Sequence, residues 1–371
     1  MTGPARKKII LVGGGHAHLF TLARLPELIR QGARVTLVTA GRYHYYSGMG
    51  PGMLAGTYLP ENLRFDVLAL AERSGATCLV DRAVSLDPQR RLLRLTDSQP
   101  LPYDLISFNI GSTVSLPDTP LPETVTTAKP IDNLVLFQER VRLLLAKGMP
   151  RLVVIGGGAA GVELAGNLER LVRRERGMAF VSLVAGTRLL ERFPEKAGVL
   201  ARQSLENRKI QVIEGRRVER FEAEGALLDD GSLLPFQAAL VATGITPSPL
   251  FRASGLPVAE DGSLLVSDTL QCVDYPEILG GGDCISPAGK RLDRVGVYAV
   301  RQAPVIFANL AALLSGKTLI RFSPQLRYLQ LLNLGDGTAL FIRGTTAYRG
   351  KSAFFLKDYL DTSFARKYQT S

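Results

Sequence analysis

The residues best suited to chemistry in this chain sit at two glycine-rich turns. The first reads Gly13-Gly14-Gly15-His16-Ala17-His18 and the second Gly156-Gly157-Gly158-Ala159-Ala160-Gly161. Each follows an apolar, β-branched run, Ile9–Val12 or Leu152–Ile155, and each opens a helix-like stretch. Strand, tight turn and helix N-terminus together make an anion site: backbone N–H groups point at the anion, the helix dipole favours it, and glycine lets the backbone approach. A dinucleotide pyrophosphate is the anion that suits this frame. Gly13, Gly14 and Gly15 are expected to hold one, and Gly156, Gly158 and Gly161 a second. Two dinucleotides in one chain imply electron transfer between them.

Other residues cluster around that chemistry. Gly280-Gly281-Gly282-Asp283 follows the short strand Pro276–Leu279, and an aspartate after glycine at a strand end can accept hydrogen bonds from a sugar-like polyol. Glu163 lies in the first turn of the second helix, where it is either a carboxylate stabilised by the dipole or a contact to a redox partner. Lys129 sits at a chain crossing, and Tyr298, Arg301 and Gln302 begin an apolar helix; packing is the competing reading for all four. The second strand of each unit ends on Thr39 or Ala185 rather than on the acid expected to hold a ribose. Arg188, just beyond, suits a 2′-phosphate or is a solvated charge. His18 stands where a third glycine is usual. No Ser-His-Asp arrangement or metal cluster appears. Cys78, Cys272 and Cys284 lack the spacing of a redox pair or a zinc site, and are expected to be small core residues.

These residues need elements to position them. The first unit reads as strand 9–12, helix 17–30 and strand 34–39. An aromatic, glycine-punctuated loop follows, Arg42 to Gly52, either a ligand loop or a core edge. Residues 79–108 alternate like an antiparallel set, then reach Asn109-Ile110-Gly111-Ser112. Pro117, Pro120, Pro122 and Lys129-Pro130 mark a domain crossing. The second unit reads as strand 152–155, helix 161–174 and strand 180–184, then a meander (210–214, 217–222, 226–228) and a strand entering the Gly244 turn. A helix follows at 297–314, then strands 328–332 and 339–343 and a helix at 352–367. The expected fold is α/β: two Rossmann-like domains with a small α+β C-terminal region. The first domain takes residues 1–125 and 255–320, the second 126–254, and the C-terminal region 321–371.

The 371 residues suit two or three domains, and 46% apolar content supports full cores. A net charge of +11 suits anionic cofactors or an anionic membrane face. No zinc-finger spacing, RNA-binding sheet motif or long basic run argues for nucleic acid as partner. Lys7-Lys8 and the short apolar run after them read as a first strand, not a signal peptide, and no uninterrupted run of ~20 apolar residues suggests a transmembrane helix. Few cysteines suit a reducing, cytoplasmic compartment. The C-terminal helix mixes Phe354, Phe355, Leu356, Tyr359, Leu360, Phe364 and Tyr368 with Lys351, Lys357, Arg366 and Lys367. It reads either as peripheral attachment to the inner face of the cell membrane or as cover for the first domain or a homodimer interface.

The order of motifs resembles the two-dinucleotide-binding flavoproteins of the pyridine nucleotide-disulfide oxidoreductase superfamily, over about residues 7–320. Gly156 to Ala165 with the Gly-Val-Glu sequence, and Gly282-Asp283-Cys284, look like the type II NADH:quinone dehydrogenases. Tyr46-Ser47-Gly48-Met49 with Pro51-Gly52, and Val295 to Pro304, resemble the flavoprotein domain fused ahead of selenophosphate synthetase. The resemblance implies FAD at the first site and NAD(P)H at the second. It places the FAD pyrophosphate and ribose at Gly13, Gly15 and Thr39, the adenine near Val84, Gly111 at the crossing and the ribityl chain at Asp283. The helix through Tyr298, Val300 and Gln302 would aim its N-terminus at the flavin. Gly156, Gly158, Gly161, Arg188 and Gly244 fall to NAD(P)H, and Glu163 to the meeting of nicotinamide and flavin. The implied reaction is hydride transfer from NAD(P)H to flavin, then electron transfer to a quinone. The alternatives are a soluble reductase of a small sulfur or selenium compound, and a slow redox sensor. The cysteine pair of a disulfide reductase is missing.

Overall fold

The computed structural model describes residues 6–116, 121–290, 292–325 and 327–369; Pro117 and Pro120 lie outside them. Ten strands build two parallel sheets: β1 (Lys7–Val12), β2 (Ala33–Thr39), β3 (Thr77–Val80), β4 (Leu105–Phe108), β5 (Val125–Thr127), β6 (Arg151–Ile155), β7 (Phe180–Ala185), β8 (Gln211–Glu214), β9 (Ala238–Val241) and β10 (Ile278–Gly280). The first sheet runs β10-β4-β1-β2-β3 and the second β5-β9-β6-β7-β8. In both, the strand before a glycine turn lies at the centre, and the strand on its other side ends against the turn. β10 returns to the first sheet after the whole second sheet has been made.

The residues that form β4, β6 and β9 explain why these strands are central. β4 and β9 are buried along their whole length, and β6 along all but its first residue. Strands covered on both faces read as continuous apolar runs. The antiparallel reading of 79–108 is therefore corrected. Leu79-Val80 and Leu105–Phe108 belong to the parallel sheet, and only Ala83–Asp87, Leu92–Leu95 and Leu101–Pro102 form an antiparallel set. The expected meander at 210–228 divides the same way: β8 joins the parallel sheet, and the segments from Val218 to Pro235 make the antiparallel one.

The first helix is broken where one was expected. It runs as α1 (His16–Ala23) and α2 (Leu25–Arg30). Pro26 has no N–H to donate and crowds the carbonyl four residues earlier, so the chain restarts at Arg24. α3 (Ala159–Arg174) follows the second turn. α4 (Gly296–Ser315) is, among the described residues, the one helix long and apolar enough to cross a membrane by length and composition. It packs on α1 and buries Gln302 and Asn309 along with Ile306 and Leu310, which marks it as a core helix.

The C-terminal region is a three-stranded meander, β11 (Gln330–Asn333), β12 (Ala339–Arg343) and β13 (Thr346–Gly350), followed by α5 (Lys351–Tyr368). α5 packs Phe364 against the core. Its buried residues are Ala353, Lys357, Asp361, Ala365 and Tyr368, while Leu356 and Leu360 are exposed.

Candidate functional site

The first glycine turn is shaped by Asn109. Gly13 has φ +87°, and a Cβ there would lie 2.2 Å from the Asn109 carbonyl oxygen; one on Gly15 would lie 2.3 Å from Asn109 Oδ1. Any side chain at either place would push the turn off β4. Asn109 Oδ1 accepts from the Ala17 N–H at 3.0 Å, and its Nδ2 donates to Gly281 O at 2.7 Å. One amide thus ties the first turn, the end of β4 and the third glycine cluster together. Sequence reasoning passed over Asn109; the available signal was a polar residue closing the apolar strand Leu105–Phe108. Gly14 backs onto Val67, so its role is close packing against the neighbouring helix.

His18 explains its own presence. Its ring is buried, with Nδ1 2.6 Å from Gly13 O and Nε2 2.8 Å from Ser107 Oγ. A carbonyl only accepts, so Nδ1 carries the proton and Nε2 accepts from the serine. Burial holds this imidazole neutral, its pKa down to about 4. The turn is propped by a side chain where related turns close on a third glycine. Thr39 is buried at the end of β2 and its hydroxyl donates to Gly41 O at 3.0 Å. Val84 stands half exposed beyond the sheet edge, and Gly111 has φ +67° with open space around it.

The second turn repeats the arrangement. Gly156 has φ +131°, and its Cβ would lie 2.3 Å from Ala242 O, as Gly13 does against Asn109. A Cβ on Gly161 would lie 1.7 Å from Gly156 O, so here the third glycine is required for helix and turn to touch. Gly158 caps α3 with open space beside it. Gly244 lies beyond β9, where Ser115 Oγ is its near neighbour. Arg188 is taken up by its own loop, which it braces: the guanidinium donates to the carbonyls of Leu189, Glu191 and Phe193. The side chain beside Gly186 is instead Arg217, whose Cγ would lie 2.9 Å from a Cβ there.

The two sheets meet at an ion pair. Lys129 follows β5 and Asp283 follows β10, so each closes the carboxyl end of one sheet. Lys129 Nζ lies 2.7 Å from Asp283 Oδ2, and Ser112 Oγ is 3.0 Å from both. Gln302 Oε1 accepts the Gly282 N–H at 2.7 Å, holding the turn that presents Asp283. Tyr298 donates to Gln325 O at 2.9 Å. Gly282, Asp283, Arg294, Tyr298 and Gln302 line a narrow cleft there, while Val300, between Tyr298 and Gln302 on α4, stands half-buried. A wider concavity at the amino ends of β1 and β2, against Arg6, Lys8 and Arg34, holds no motif residue.

Glu163 is engaged with the C-terminal region. Its Oε1 accepts the Asn333 N–H at 2.6 Å and lies 3.8 Å from Lys357 Nζ. Lys357 also pairs with Asp361 at 2.9 Å and donates to Gly48 O; Tyr46 donates to Asp361 Oδ1 at 2.9 Å. Burial pushes the Glu163 carboxyl up to about 7, against the pull of Lys357. Lys357 is a cation held by two carboxylates, raised despite its own burial. A buried charged lattice thus joins α3, the 46–49 loop and α5. The lysine and aspartate stand four residues apart, on one face of α5.

No cysteine is poised for thiolate chemistry. All three are free; burial raises Cys78 and Cys284 to about 11 and Cys272 upward. No group of three metal-ligating side chains occurs among the described residues. The residues do fit two dinucleotides: two glycine cradles that a Cβ would fill, each opening a helix, and a carboxylate at the cleft for a polyol.

Comparison with known proteins agrees with that fit. The profile of the family described as "Pyridine nucleotide-disulphide oxidoreductase" matches residues 7–303. The demethylphylloquinone reductase NdbB of Synechocystis is 26% identical, covering 91% of this chain and 87% of that protein. The type II NADH:quinone oxidoreductase of Staphylococcus saprophyticus is 23% identical, covering 96% and 94%. The structure of NDH2 from Plasmodium falciparum in complex with NADH superposes with a TM-score of 0.81 at 15% identity, covering 97% and 96%. On the match over residues 7–303, the chain is a member of the pyridine nucleotide-disulphide oxidoreductase family, whose enzymes work with FAD and NAD(P)H.

Proposed function

We propose that the protein is an NAD(P)H:quinone oxidoreductase of the type II kind. The observation that carries this reading is the Lys129–Asp283 pair joining the carboxyl ends of the two sheets, each of which ends at a glycine cradle. Ligands of open α/β sheets gather at those ends. Two cofactors held by one chain therefore converge on one seam. The relatives with quinone-reductase names, matched over most of both chains, support a quinone as acceptor. The motifs at Tyr46–Met49 and Val295–Pro304 support the finer kinship with the selenophosphate-synthetase-fused flavoproteins.

FAD bound at the first cradle supplies a flavin that takes a hydride from NAD(P)H and passes two electrons on. The chain's part is to hold and to tune. Gly13, Gly15 and the N-terminus of α1 receive one pyrophosphate, and Gly156, Gly158 and the N-terminus of α3 the other. Lys129 keeps a positive charge at the seam, where negative charge grows as electrons arrive. Gln302 and Asn109 fix the turn that carries Asp283. With Ala185 in place of an acid and Arg217 beside Gly186, the second cradle suits a 2′-phosphate, so NADPH is the preferred donor. The exposed face of α5, with Phe355 and Tyr359 each 68% exposed, is the surface we assign to peripheral membrane contact.

An anaerobic titration tests the reading. NADPH, and more weakly NADH, bleaches the flavin absorbance, and a menaquinone analogue restores it. A flavin that neither nucleotide reduces, or that no quinone reoxidises, overturns it.

A further inference from the structure

The chain has three histidines, and all three stand at the first glycine turn. His18 is accounted for as a prop. His16 and His44 are not. His16 opens α1 directly after Gly15; His44 lies in the two-stranded ribbon Tyr43–Tyr45 with Arg64–Asp66. Their rings meet edge to face at 88°, centroids 4.8 Å apart, with His44 Nε2 3.0 Å from His16 Nδ1. Tyr46 and Phe364 enclose His16, with ring centroids at 5.3 Å and 5.9 Å. Phe364 comes from α5, so the C-terminal helix helps to close this box.

Burial keeps both imidazoles neutral. It lowers His16 to about 4, helped by the nearby charge of Lys129, and it lowers His44 well below the usual range, helped by His16. Two neutral imidazoles share one N–H···N bond, each with one proton and one lone pair. His16 Nε2 is left over: it is buried and has no hydrogen-bond partner, and it is the one side-chain nitrogen in that state among the described residues. Buried polar atoms without partners are rare and call for a ligand or water. His16 precedes Ala17, whose N–H is held by Asn109; the same Asn109 amide holds Gly281, two residues before Asp283, so His16 stands beside the turn that presents the Lys129–Asp283 pair.

We propose that His16 and His44 form a neutral proton relay to the oxygen of the electron acceptor. This rests on the reading that a quinone is reduced at the seam. A quinone becomes a quinol by gaining two electrons and two protons. One proton and both electrons arrive as the hydride equivalent that NAD(P)H put into the cofactor. The other proton leaves His16 Nε2 for the quinone oxygen. His16 Nδ1 then takes the proton from His44 Nε2, and water supplies one to His44 Nδ1. Neither ring becomes charged, which suits a site that disfavours imidazolium. Both rings finish in the opposite tautomer and exchange with water once the quinol has left.

The test uses the FAD-loaded, full-length protein with wild type, His16→Gln and His44→Gln. Rates are taken per bound FAD, because His16 opens the helix that receives the pyrophosphate, and the readout is quinone reoxidation relative to reoxidation by ferricyanide, which takes electrons without protons. Reoxidation by a water-soluble menaquinone analogue falls about 100-fold in His16→Gln, and added imidazole restores part of it. Nitrogen NMR of ¹⁵N-histidine protein, free of quinone, shows His16 and His44 neutral at pH 7 and joined by one N–H···N bond. Equal slowing with ferricyanide and quinone, unchanged quinone reoxidation, or a protonated ring at pH 7 overturns the relay. A wild-type protein that quinone cannot reoxidise overturns the functional reading instead.

Discussion

His18 decides how far a motif can be trusted at the level of one residue. By the glycine fingerprint it is a departure, and it is one of the residues that hold the turn in shape. The sequence displays the substitution but not the Ser107 hydroxyl, 89 positions away, that makes it work. Gly13 and Gly156 are legible for the opposite reason: a positive φ beside a neighbouring carbonyl admits only glycine, whatever the rest of the fold does. Arg188 is the reverse case, because its type matches a phosphate ligand while its reach is taken up by three carbonyls of its own loop. Two predictions belong here. The His18 pKa is depressed in the folded protein, so its contribution to stability is present above about pH 6.5 and lost as pH falls through about 4. His18→Ala therefore destabilises by about 3 kcal/mol at pH 7, and by clearly less at pH 4.5, in urea unfolding followed by circular dichroism. A penalty that is constant with pH would contradict a neutral, buried imidazole. Arg217→Ala raises the KM for NADPH about tenfold and leaves that for NADH nearly unchanged, because one charge-assisted contact to a phosphate is lost. An equal rise for both nucleotides places Arg217 away from the 2′ position.

At the scale of elements, the two strand–turn–helix units were readable because their apolar runs end at glycine turns, whereas the parallel strands at 77–80, 105–108 and 211–214 read as parts of antiparallel sets. The failures have physical causes. Pro26 splits α1 from α2, an effect visible locally yet overridden by an apolar pattern that runs through it. The burial of Lys357 and Asp361 was not legible, because they are buried only with Glu163 and Gly48, from two other elements, there to receive the lysine. An isolated helix sequence holds no record of such partners, and charges without them would stay in water. The joint between α3 and α5 carries its own prediction. The Glu163 pKa is raised on folding, so its stabilisation is present below about pH 4.5 and lost as pH rises through about 7. Glu163→Gln keeps an acceptor for the Asn333 N–H and removes that titration. The stability of the variant relative to wild type therefore rises between pH 5 and pH 8, by up to about 3 kcal/mol for a shift of that size. Parallel stability–pH curves for the two proteins would show that the carboxyl is ionised throughout.

The whole molecule has an asymmetry that neither sheet explains alone. Lys357 and Asp361 of α5 are buried against the two nucleotide-binding units together with Ala353, Ala365 and Tyr368, while a separate apolar strip faces out: Phe355, Tyr359, Leu360 and Leu356 are 68%, 68%, 45% and 36% exposed. That outward strip is free for another surface. The net charge of +11 favours an anionic one, and a quinone dissolved in lipid is most easily met at a bilayer face. Phe355→Ser with Tyr359→Ser changes only exposed groups, so folding, flavin content and turnover of a water-soluble quinone analogue should be preserved. Each aromatic is worth about 1.5–3 kcal/mol on burial, so binding to vesicles containing anionic lipid falls about 100-fold or more in the double variant. Co-sedimentation with such vesicles reads this directly, and raised salt weakens the wild type as well. If binding is unchanged while light scattering shows a wild-type dimer that the double variant loses, the exposed face is a contact between two copies of the chain, and the quinone must reach the seam by another route.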